Sequence, residues 1–321
     1  MPPDPIARFL AHGPCAGWQR DPIRGDASAR CFERLTGPDG TAILMITPPA
    51  LSDSLADFIR IDTHLRGLGL AAPEILDRDE AAGLLLVEDL GTEDFAARLI
   101  HAPQDEMRLY SSAVDVLIRL KDSLPPPDLT ALTPEHAAKM TAIAWDWFAP
   151  DTPPDLAQEV TATLRAQLAA LVPAPATLAL RDFHAQNLIW RPDRLGLDRV
   201  GIIDFQDAVL SDPAYDLASL LHDARRDVPD DLRNQMMVRF AAATGASLAD
   251  LTAAVAVLGV QRDLRILGVF SRLAQRDDKP GYLRFVPRVL GHIAQHLEHP
   301  ALTRLAPVLG RALGLAEQVK A

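Results

Sequence analysis

Short apolar runs and one helical stretch alternate through the first ninety positions. The runs 41–47 and 83–87 are compact and rich in β-forming residues, and the first follows turn residues at 37–40, so both are predicted to be strands. Between them, apolar residues recur at helical spacing after possible capping residues at 52–54, and Gly67 or Gly69 can end the run, which predicts one helix. A β-hairpin, a helix and two further strands in this order predict a small α+β lobe.

Amphipathic helices dominate the chain after position 91, with proline-rich breaks between them. Helices are predicted over 104–123, 134–148 and 155–171, and again beyond Pro213. Short strands are predicted at 177–180, 188–190 and 200–203. The predicted fold class is therefore α+β, in a bilobal, protein-kinase-like arrangement with a small β-rich N-terminal lobe and a larger helical C-terminal lobe. The predicted bounds are 1–90 for the first lobe, about 86–91 for the hinge and 91–321 for the second lobe.

Composition narrows the class of protein. The 321 residues are 48% hydrophobic, enough for a substantial core, and the formal net charge of −11 disfavours a general electrostatic hold on nucleic acid. Only Cys15 and Cys31 are present, without metal-ligand spacing, which suits a reducing cytosol. No secretory signal and no apolar stretch of membrane-spanning length stands out. We therefore expect a cytoplasmic protein with no membrane partner, no nucleic-acid partner and no obligate protein partner.

Two polar loops carry the candidate chemistry. The first is 180–187, Leu-Arg-Asp-Phe-His-Ala-Gln-Asn, and the second begins with Asp204 after the apolar run 200–203. An acid at Asp182 can accept the proton of a hydroxyl, and Asn187 and Asp204 offer the oxygen ligands that Mg²⁺ prefers on a nucleotide. Each residue alone is also a common turn residue. Together, D-x-x-x-x-N, a following strand and Asp-Phe favour phosphoryl transfer.

These motifs resemble those of the aminoglycoside phosphotransferases and the related choline and sugar kinases. The resemblance lies in Asp182-x-His184-x-x-Asn187, Ile203-Asp204-Phe205 and Asp212-Pro213-x-Tyr215-Asp216-Leu217-Ala218. It implies ATP and Mg²⁺ as cofactors, Asp182 as the catalytic base, and Asn187 and Asp204 as metal ligands. It also implies that Asp216 braces the catalytic loop, although the helix dipole favours an acid in the first turn of a helix equally well.

A narrower similarity covers most of the chain. The segments 25–28, 45–49, 86–91, 204–208 and 261–283 contain residues that resemble the anomeric N-acetylmuramate/N-acetylglucosamine kinases of cell-wall recycling. This resemblance implies an ATP-dependent kinase that phosphorylates the anomeric hydroxyl of an N-acetylated amino sugar. Two alternatives stay open: transfer to an aminoglycoside or another small alcohol, since the acidic balance would attract a cation, and a nucleotide-binding pseudokinase adaptor.

The chain departs from the family pattern at two places. Leu180 stands where the family usually has histidine, two residues before the base. No lysine precedes Lys121, so the first lobe cannot supply the strand lysine that pairs with the nucleotide phosphates in kinases. Met45 lies near the expected place of that lysine. Both departures motivate the pseudokinase alternative.

Other groups of the first lobe would then bind the nucleotide. By resemblance, backbone N–H groups at 25–28 would cover the phosphates and the hinge backbone would contact adenine. Arg30 or Arg34 would meet phosphate through its planar guanidinium, although either could equally be a solvated surface residue. The candidate nucleotide-binding residues are Gly25, Asp26, Ala27, Ser28, Arg30, Glu88, Asp89 and Leu90.

Residues near the base and the metal ligands are candidates for acceptor contact or support. Arg181 precedes the base and is the best single candidate for contact with the acceptor or a phosphate. His184 is expected to orient the loop, because Asp182 already serves as the base. Asp207 is either a third acid near the metal or a turn residue. The acceptor-binding or supporting candidates are Arg181, His184, Asp207 and Asp216.

Three arginines of the C-terminal part lie near helical spacing, and two uses are open for them. They could meet a sugar carboxylate, or they could form ion pairs on a solvated face, which is the favoured interpretation. They are Arg262, Arg265 and Arg272.

Overall fold

The computed structural model of the protein describes residues 4–23 and 30–315. These residues form two compact units. The first holds the described residues up to Ser112 together with Gln186–Asp207, and the second holds Ala113–Ala185 together with the described residues from Ala208 onward. The chain therefore leaves the first unit and later returns to it for one short segment.

Strands and helices alternate in the first part of the chain, and helices dominate the rest. The strands are β1 (Gln19–Ile23), β2 (Cys31–Gly37), β3 (Gly40–Ile46), β4 (Ile75–Asp79), β5 (Leu84–Glu88), β6 (Thr177–Ala179), β7 (Leu188–Trp190), β8 (Val200–Ile202) and β9 (Val209–Ser211). The helices are α1 (Pro5–His12), α2 (Ser52–Gly67), α3 (Phe95–His101), α4 (Glu106–Lys121), α5 (Pro134–Lys139), α6 (Pro154–Leu171), α7 (Ala214–Leu221), α8 (Asp230–Thr244), α9 (Leu248–Gln275), α10 (Val286–Leu297) and α11 (Ala306–Leu313). The helices predicted over 104–123 and 155–171 are confirmed as α4 and α6. The helix predicted over 134–148 is α5 followed by a separate π-helical turn at Ala144–Phe148.

A five-stranded antiparallel sheet forms the centre of the first unit. Its strand order is β1-β2-β3-β5-β4, and the strands predicted at 41–47 and 83–87 are confirmed as β3 and β5. Leu10 of α1 joins Leu35 and Leu44 of the sheet in one buried apolar cluster. Removal of this apolar surface from water is the main force that holds α1 against the sheet.

The returning segment Gln186–Asp207 belongs to the first unit because its backbone pairs with the chain there. Its strands β7 and β8 pair antiparallel with each other. Ile202 N–H donates to the Ala71 carbonyl at 2.9 Å, and Trp190 N–H donates to the Glu93 carbonyl at 2.9 Å. The sequence-based division at position 90 assigned this segment to the helical lobe, since local periodicity carries no information on pairing between distant positions.

The long helix α9 is the core of the second unit. Most of its residues are buried, and α6, α7, α8 and α10 pack around it. A Cβ at Gly268 would lie 2.4 Å from the carbonyl oxygen of Ile143, so this glycine permits the close approach of the π-helical turn. The apolar run 251–260 inside α9 is buried, as the sequence predicts for a core helix. Of the helices that the structure describes, none combines the length and the apolar character needed to cross a membrane.

Three histidines are buried together next to Asp263 of α9. The rings of His222 and His296 have centroids 4.2 Å apart, and the ring of His292 lies 5.4 Å from that of His222. His296 Nε2 is 3.8 Å from Oδ2 of Asp263. Burial raises the pKa of Asp263 to about 8, although the guanidinium of Arg262 lies 3.6 Å from its Oδ1, and burial lowers the pKa of His296 to about 3. Asp263 and His296 are therefore mainly neutral near pH 7.

Gly259 of α9 makes room for one of these rings. A Cβ at this position would lie 2.2 Å from His296 Nε2 and within 2.7 Å of two ring carbons. Gly291 of α10 is different, because it is exposed and a Cβ there would meet open space. Only the first of these two helical glycines is needed for packing.

Candidate active site

The 180–187 loop begins after β6 with a left-handed backbone turn. Arg181 has a φ of +71°, a conformation that residues with a Cβ rarely adopt. The N–H of Asp182 donates to the Leu180 carbonyl at 2.9 Å, and the N–H of His184 donates to the Asp182 carbonyl at 3.1 Å. Tight turns on both sides of Asp182 therefore give the loop one defined backbone path.

Asp216, in the first turn of α7, holds this backbone. Its Oδ2 accepts the N–H of Leu180 at 2.6 Å and its Oδ1 accepts the N–H of Arg181 at 2.9 Å. The hydroxyl of Ser219 donates to the Arg181 carbonyl at 3.1 Å. Burial raises the pKa of Asp216 to about 7, while the two N–H donors favour its ionised form. Asp216 is thus both an acid in the first turn of a helix and a hydrogen-bond acceptor for the loop. These contacts stabilise the left-handed conformation of Arg181.

The carboxyl group of Asp182 lies in a positive environment. The residue is partly buried, and burial raises the pKa of its carboxyl. The charges of several basic groups of the second unit, of which Arg265 contributes most, together outweigh this effect of burial, so the pKa lies below its usual value. Asp182 is therefore an ionised carboxylate at neutral pH, the state that a proton acceptor requires.

His184 is buried and is held in its neutral form. Its Nε2 lies 2.7 Å from Nη1 of Arg225, and because a guanidinium has only donors, Nε2 must act as the acceptor and the ring proton belongs on Nδ1. Burial lowers the pKa of His184 to about 4. A neutral ring fixed by an arginine is suited to orienting the loop, the use that the sequence favours for it.

A second carboxylate holds the far side of the same loop. Asp223 Oδ2 accepts the N–H of Ala185 at 3.3 Å, and its Oδ1 accepts the N–H of Arg225 at 2.8 Å. Asp216 and Asp223 therefore bond backbone amides on either side of Asp182.

The two predicted metal ligands lie together in the first unit. Asn187 precedes β7 and Asp204 follows β8, so the antiparallel pairing brings them to the same end of this strand pair. Asn187 Nδ2 lies 3.5 Å from Asp204 Oδ2, and Gln206 Nε2 donates to Asp204 Oδ1 at 2.8 Å. Asp204 has a φ of +61°, a left-handed conformation that aspartate tolerates better than most residues.

Helix α2 makes contacts next to this metal-ligand pair. Phe205, which follows Asp204, stacks on Phe58 of α2 with ring centroids 4.8 Å apart and an interplanar angle of 23°. Both rings are buried. The backbone that carries Asp204 is therefore tied to α2.

Arg30 is buried against the first turn of α2. Its side chain is 6% exposed, and its Nη2 donates to the carbonyl of Ser54 at 3.3 Å and to the hydroxyl of the same residue. Burial lowers the pKa of Arg30, and the charges of Asp204 and Asp207 oppose that effect. Arg30 is therefore a buried residue, and the surface alternative left open by the sequence does not apply to it.

The predicted hinge residues have side chains engaged with arginines. Asp89 accepts from Arg34 at 2.7 and 3.3 Å and from the N–H of Gly91 at 3.0 Å. Glu88 Oε1 accepts from Arg191 Nη2 at 3.0 Å. Burial raises the pKa of Asp89, but the hydrogen bond from Arg34 and further bonds bring it below its usual value. These carboxylates hold the end of β5 in place.

The candidate residues fall into two groups, one in each unit. The second unit contains Arg181, Asp182, His184 and Asp216. The first unit contains Arg30, Glu88, Asp89, Leu90, Asn187, Asp204 and Asp207. The four residues of the predicted phosphate turn, Gly25, Asp26, Ala27 and Ser28, lie outside the described residues, so their role stays a prediction.

Comparison with known proteins identifies the family of this chain. The model of the phosphotransferase enzyme family APH matches residues 20–253. The chain is an APH-family phosphotransferase. A relative from Caulobacter vibrioides is 37% identical over 93% of this chain and 93% of its own length, and one from Pseudomonas aeruginosa is 30% identical over 90% of this chain and 87% of its own length. Both are named N-acetylmuramate/N-acetylglucosamine kinase.

The fold of this phosphotransferase is also found in solved structures. A choline/ethanolamine kinase family protein from Mesorhizobium loti matches with a TM-score of 0.65 and 18% identity, over 94% of this chain and 97% of that one. The predicted kinase-like α+β fold and the family resemblance are confirmed.

The phosphotransferase has suitable ligands for the Mg²⁺ that phosphoryl transfer from a nucleotide requires. The carboxylate of Asp204 and the amide oxygen of Asn187 are hard oxygen donors. The Nδ2 atom of Asn187 faces Asp204. Rotation of the amide by half a turn keeps its shape and exchanges the nitrogen for Oδ1, so that both residues would present an oxygen to a metal between them. Within residues 4–23 and 30–315 no group of three or more His, Cys, Asp or Glu side chains is placed to hold a metal.

Sequence reasoning missed three residues that hold the 180–187 loop of the phosphotransferase. They are Ser219, Asp223 and Arg225. A signal exists for Asp223, because an acid directly after the apolar run 217–221 and His222 is unexpected unless it has a buried partner. The contacts of Ser219 and Arg225 have no such signal, since they involve a backbone carbonyl and a ring about forty residues away.

Proposed function

We propose that this phosphotransferase moves the γ-phosphate of ATP, bound with Mg²⁺, to the anomeric hydroxyl of an N-acetylated amino sugar, N-acetylmuramate or N-acetylglucosamine. The name that the two relatives share supports the acceptor class, and both cover most of this chain. One observation supports the reaction type above all: Asp182 is an ionised carboxylate on a loop whose backbone is held by Asp216. A general base works best when it is charged and already positioned before the hydroxyl arrives.

The proposed reaction is an in-line displacement. The anomeric hydroxyl oxygen forms a bond to the γ-phosphorus, the bond between that phosphorus and the β,γ-bridging oxygen breaks, and ADP leaves. The hydroxyl proton passes to Asp182, so the products are a sugar 1-phosphate, ADP and a proton. Asn187 and Asp204 would hold Mg²⁺, which offsets charge on the phosphates when it is bound.

The nucleotide is assigned to the first unit. The side chains of Glu88 and Asp89 are engaged with Arg191 and Arg34, which favours adenine contact through the main chain at 88–90. The turn at 25–28 would cover the phosphates. ATP supply and the two free cysteines favour the cytoplasm as the place of the reaction.

The acceptor is tested by direct phosphorylation. The full chain is incubated with Mg-ATP and, separately, with N-acetylmuramate, N-acetylglucosamine, an aminoglycoside and choline, and the new phosphate is located by ³¹P NMR. Phosphate on C1 of an N-acetylated sugar is the expected result. Phosphate on the antibiotic or on choline would replace the proposed acceptor, and tight nucleotide binding without any transfer would favour the adaptor alternative.

The base is tested by Asp182→Asn, which keeps the shape of the side chain and removes its charge. We expect kcat to fall roughly 100- to 10,000-fold, the usual range for loss of general acid–base catalysis, while ATP affinity measured by calorimetry stays close to wild type. Asp193→Asn is the matched control, because Asp193 is exposed in the turn after β7, and its kcat should stay within about twofold. Wild-type kcat in Asp182→Asn would remove Asp182 as the base.

A further inference from the structure

Arg30 differs from the other arginines of the first unit in its burial. Among the described arginines of that unit it is the least exposed, at 6%. No lysine precedes Lys121, so any permanently positive side chain in the first 120 residues is an arginine. The acids whose charges act on Arg30 are Asp204, the proposed metal ligand, and Asp207.

We infer that Arg30 binds the phosphates of the nucleotide and takes over the work of the strand lysine that this chain lacks. The inference rests on the proposed function, because it requires a nucleotide at the site. A buried guanidinium on which the charge of the proposed metal ligand acts is well suited to this use, since its planar set of donors matches two oxygens of one phosphate.

Helix α2 fixes Arg30 and the Asp204 turn through neighbouring contacts. Ser54, in the first turn of the helix, accepts from the guanidinium of Arg30. One turn further along, Phe58 stacks on Phe205, the residue after Asp204. One rigid helix therefore sets the positions of both the cation and the proposed metal ligand, as a site built on regular structure requires.

The charge balance around Arg30 also favours a phosphate ligand. A guanidinium removed from water needs a nearby anion, and the carboxylates of Asp204 and Asp207 provide it in the free protein. If Asp204 held a divalent cation, the metal would offset part of its charge. Phosphate oxygens beside that metal would restore the negative charge that Arg30 needs.

Arg34, the other arginine considered from the sequence, is engaged elsewhere. It donates to both carboxylate oxygens of Asp89, at 2.7 and 3.3 Å. Asp89 is buried apart from a small exposed fraction, so withdrawal of Arg34 would leave its charge without a partner, which is costly. Arg34 therefore supports the hinge. Of the two arginines considered from the sequence, Arg30 is the one on which the charge of Asp204 acts.

The test is a binding measurement that needs no acceptor. Calorimetry in Mg²⁺ buffer compares ATP, ADP and adenosine for the full chain and for Arg30→Ala. We expect affinity for ATP to fall roughly 10- to 100-fold, as for the loss of charge-assisted hydrogen bonds, with adenosine affinity unchanged. Arg30→Lys keeps the charge without the planar fork and should recover part of the loss. Arg60→Ala, which makes the same charge change on the partly exposed side of α2, should bind ATP like wild type.

Two results would overturn the inference. Equal ATP affinity in wild type and Arg30→Ala would show that no phosphate contact is lost. An equal loss for adenosine and ATP in both Arg30→Ala and Arg30→Lys would show that Arg30 only maintains the fold. A wild-type chain that binds ATP but phosphorylates no sugar would contradict the proposed function and leave this inference standing, whereas a chain that binds no nucleotide would contradict both.

Discussion

Asp216→Asn changes the support of the 180–187 loop without touching the base. Asparagine keeps one acceptor oxygen but turns an NH₂ group toward the other backbone N–H, so the bond to either Leu180 or Arg181 is lost. A hydrogen bond to a charged group contributes about 1.5–3 kcal/mol, and a buried N–H left without an acceptor is itself unfavourable. Removal of a buried carboxylate whose pKa is raised to about 7 offsets part of this loss.

The net effect is about 2 kcal/mol against the left-handed turn at Arg181, within the range for a lost charged hydrogen bond. If this energy keeps the loop in its working conformation, kcat should fall about 30-fold, since each 1.36 kcal/mol corresponds to a factor of ten. The KM for ATP should change less than twofold, because nucleotide contacts are assigned to the first unit.

Steady-state release of ADP, followed with a coupled enzyme assay, gives kcat and KM, and urea unfolding reports the stability of the variant. Asp212→Asn is the matched control, because Asp212 Oδ1 accepts the N–H of Ala214 at the start of the same helix and asparagine can retain that bond. Wild-type kcat in Asp216→Asn, or an equal loss in Asp212→Asn, would refute the assignment of Asp216 to the loop.

Two further predictions concern the second unit. Gly291→Ala should stabilise the protein by up to about 1 kcal/mol through helix propensity. Gly259→Ala should destabilise it by about 1–3 kcal/mol, because the new Cβ would overlap His296. The urea midpoints of the two variants should therefore shift in opposite directions, and stabilisation of both would contradict the packing argument. Asp263 has a pKa of about 8 in the folded protein and close to 3.8 in the unfolded chain, so its favourable contribution is complete at low pH and is lost as pH rises toward 8. Asp263→Asn should therefore gain stability relative to wild type between pH 5 and about 9 in urea titrations, and a difference that does not vary with pH would disprove this protonation state.

Local sequence signals predicted the regular elements well where apolar residues follow helical spacing over a long stretch or form a short continuous run. Helices α2, α4 and α6 and strands β3 and β5 follow from such spacing. Strand β9 escaped prediction because it has only three residues, Val209–Ser211, and its middle residue is partly exposed. The return of Gln186–Asp207 to the first unit escaped prediction too, because it depends on hydrogen bonds between distant backbone positions.

The candidate site shows the same limit at the scale of single residues. Asp182, Asn187 and Asp204 could be named as candidates from the sequence because the spacing of a motif is local, and their roles stay predictions. The surroundings of Arg30 were not predicted, since its contact with Ser54 joins residues on either side of the β2–β3 hairpin. Asp223 and Arg225 were missed because their partners lie in the 180–187 loop, far away in sequence.

The 180–187 loop is held through its main-chain amides, which explains how position 180 can carry leucine in place of the histidine that is usual in the family. Asp216 bonds the peptide N–H of residue 180, so a leucine there, 2% exposed, has only to fill space. The geometry of the loop then survives replacement of histidine by a hydrocarbon, whereas a change at residue 216 has no such tolerance. In this chain, the carboxylate on the first turn of α7 is therefore the contact that keeps the loop in place, whatever the side chain at residue 180.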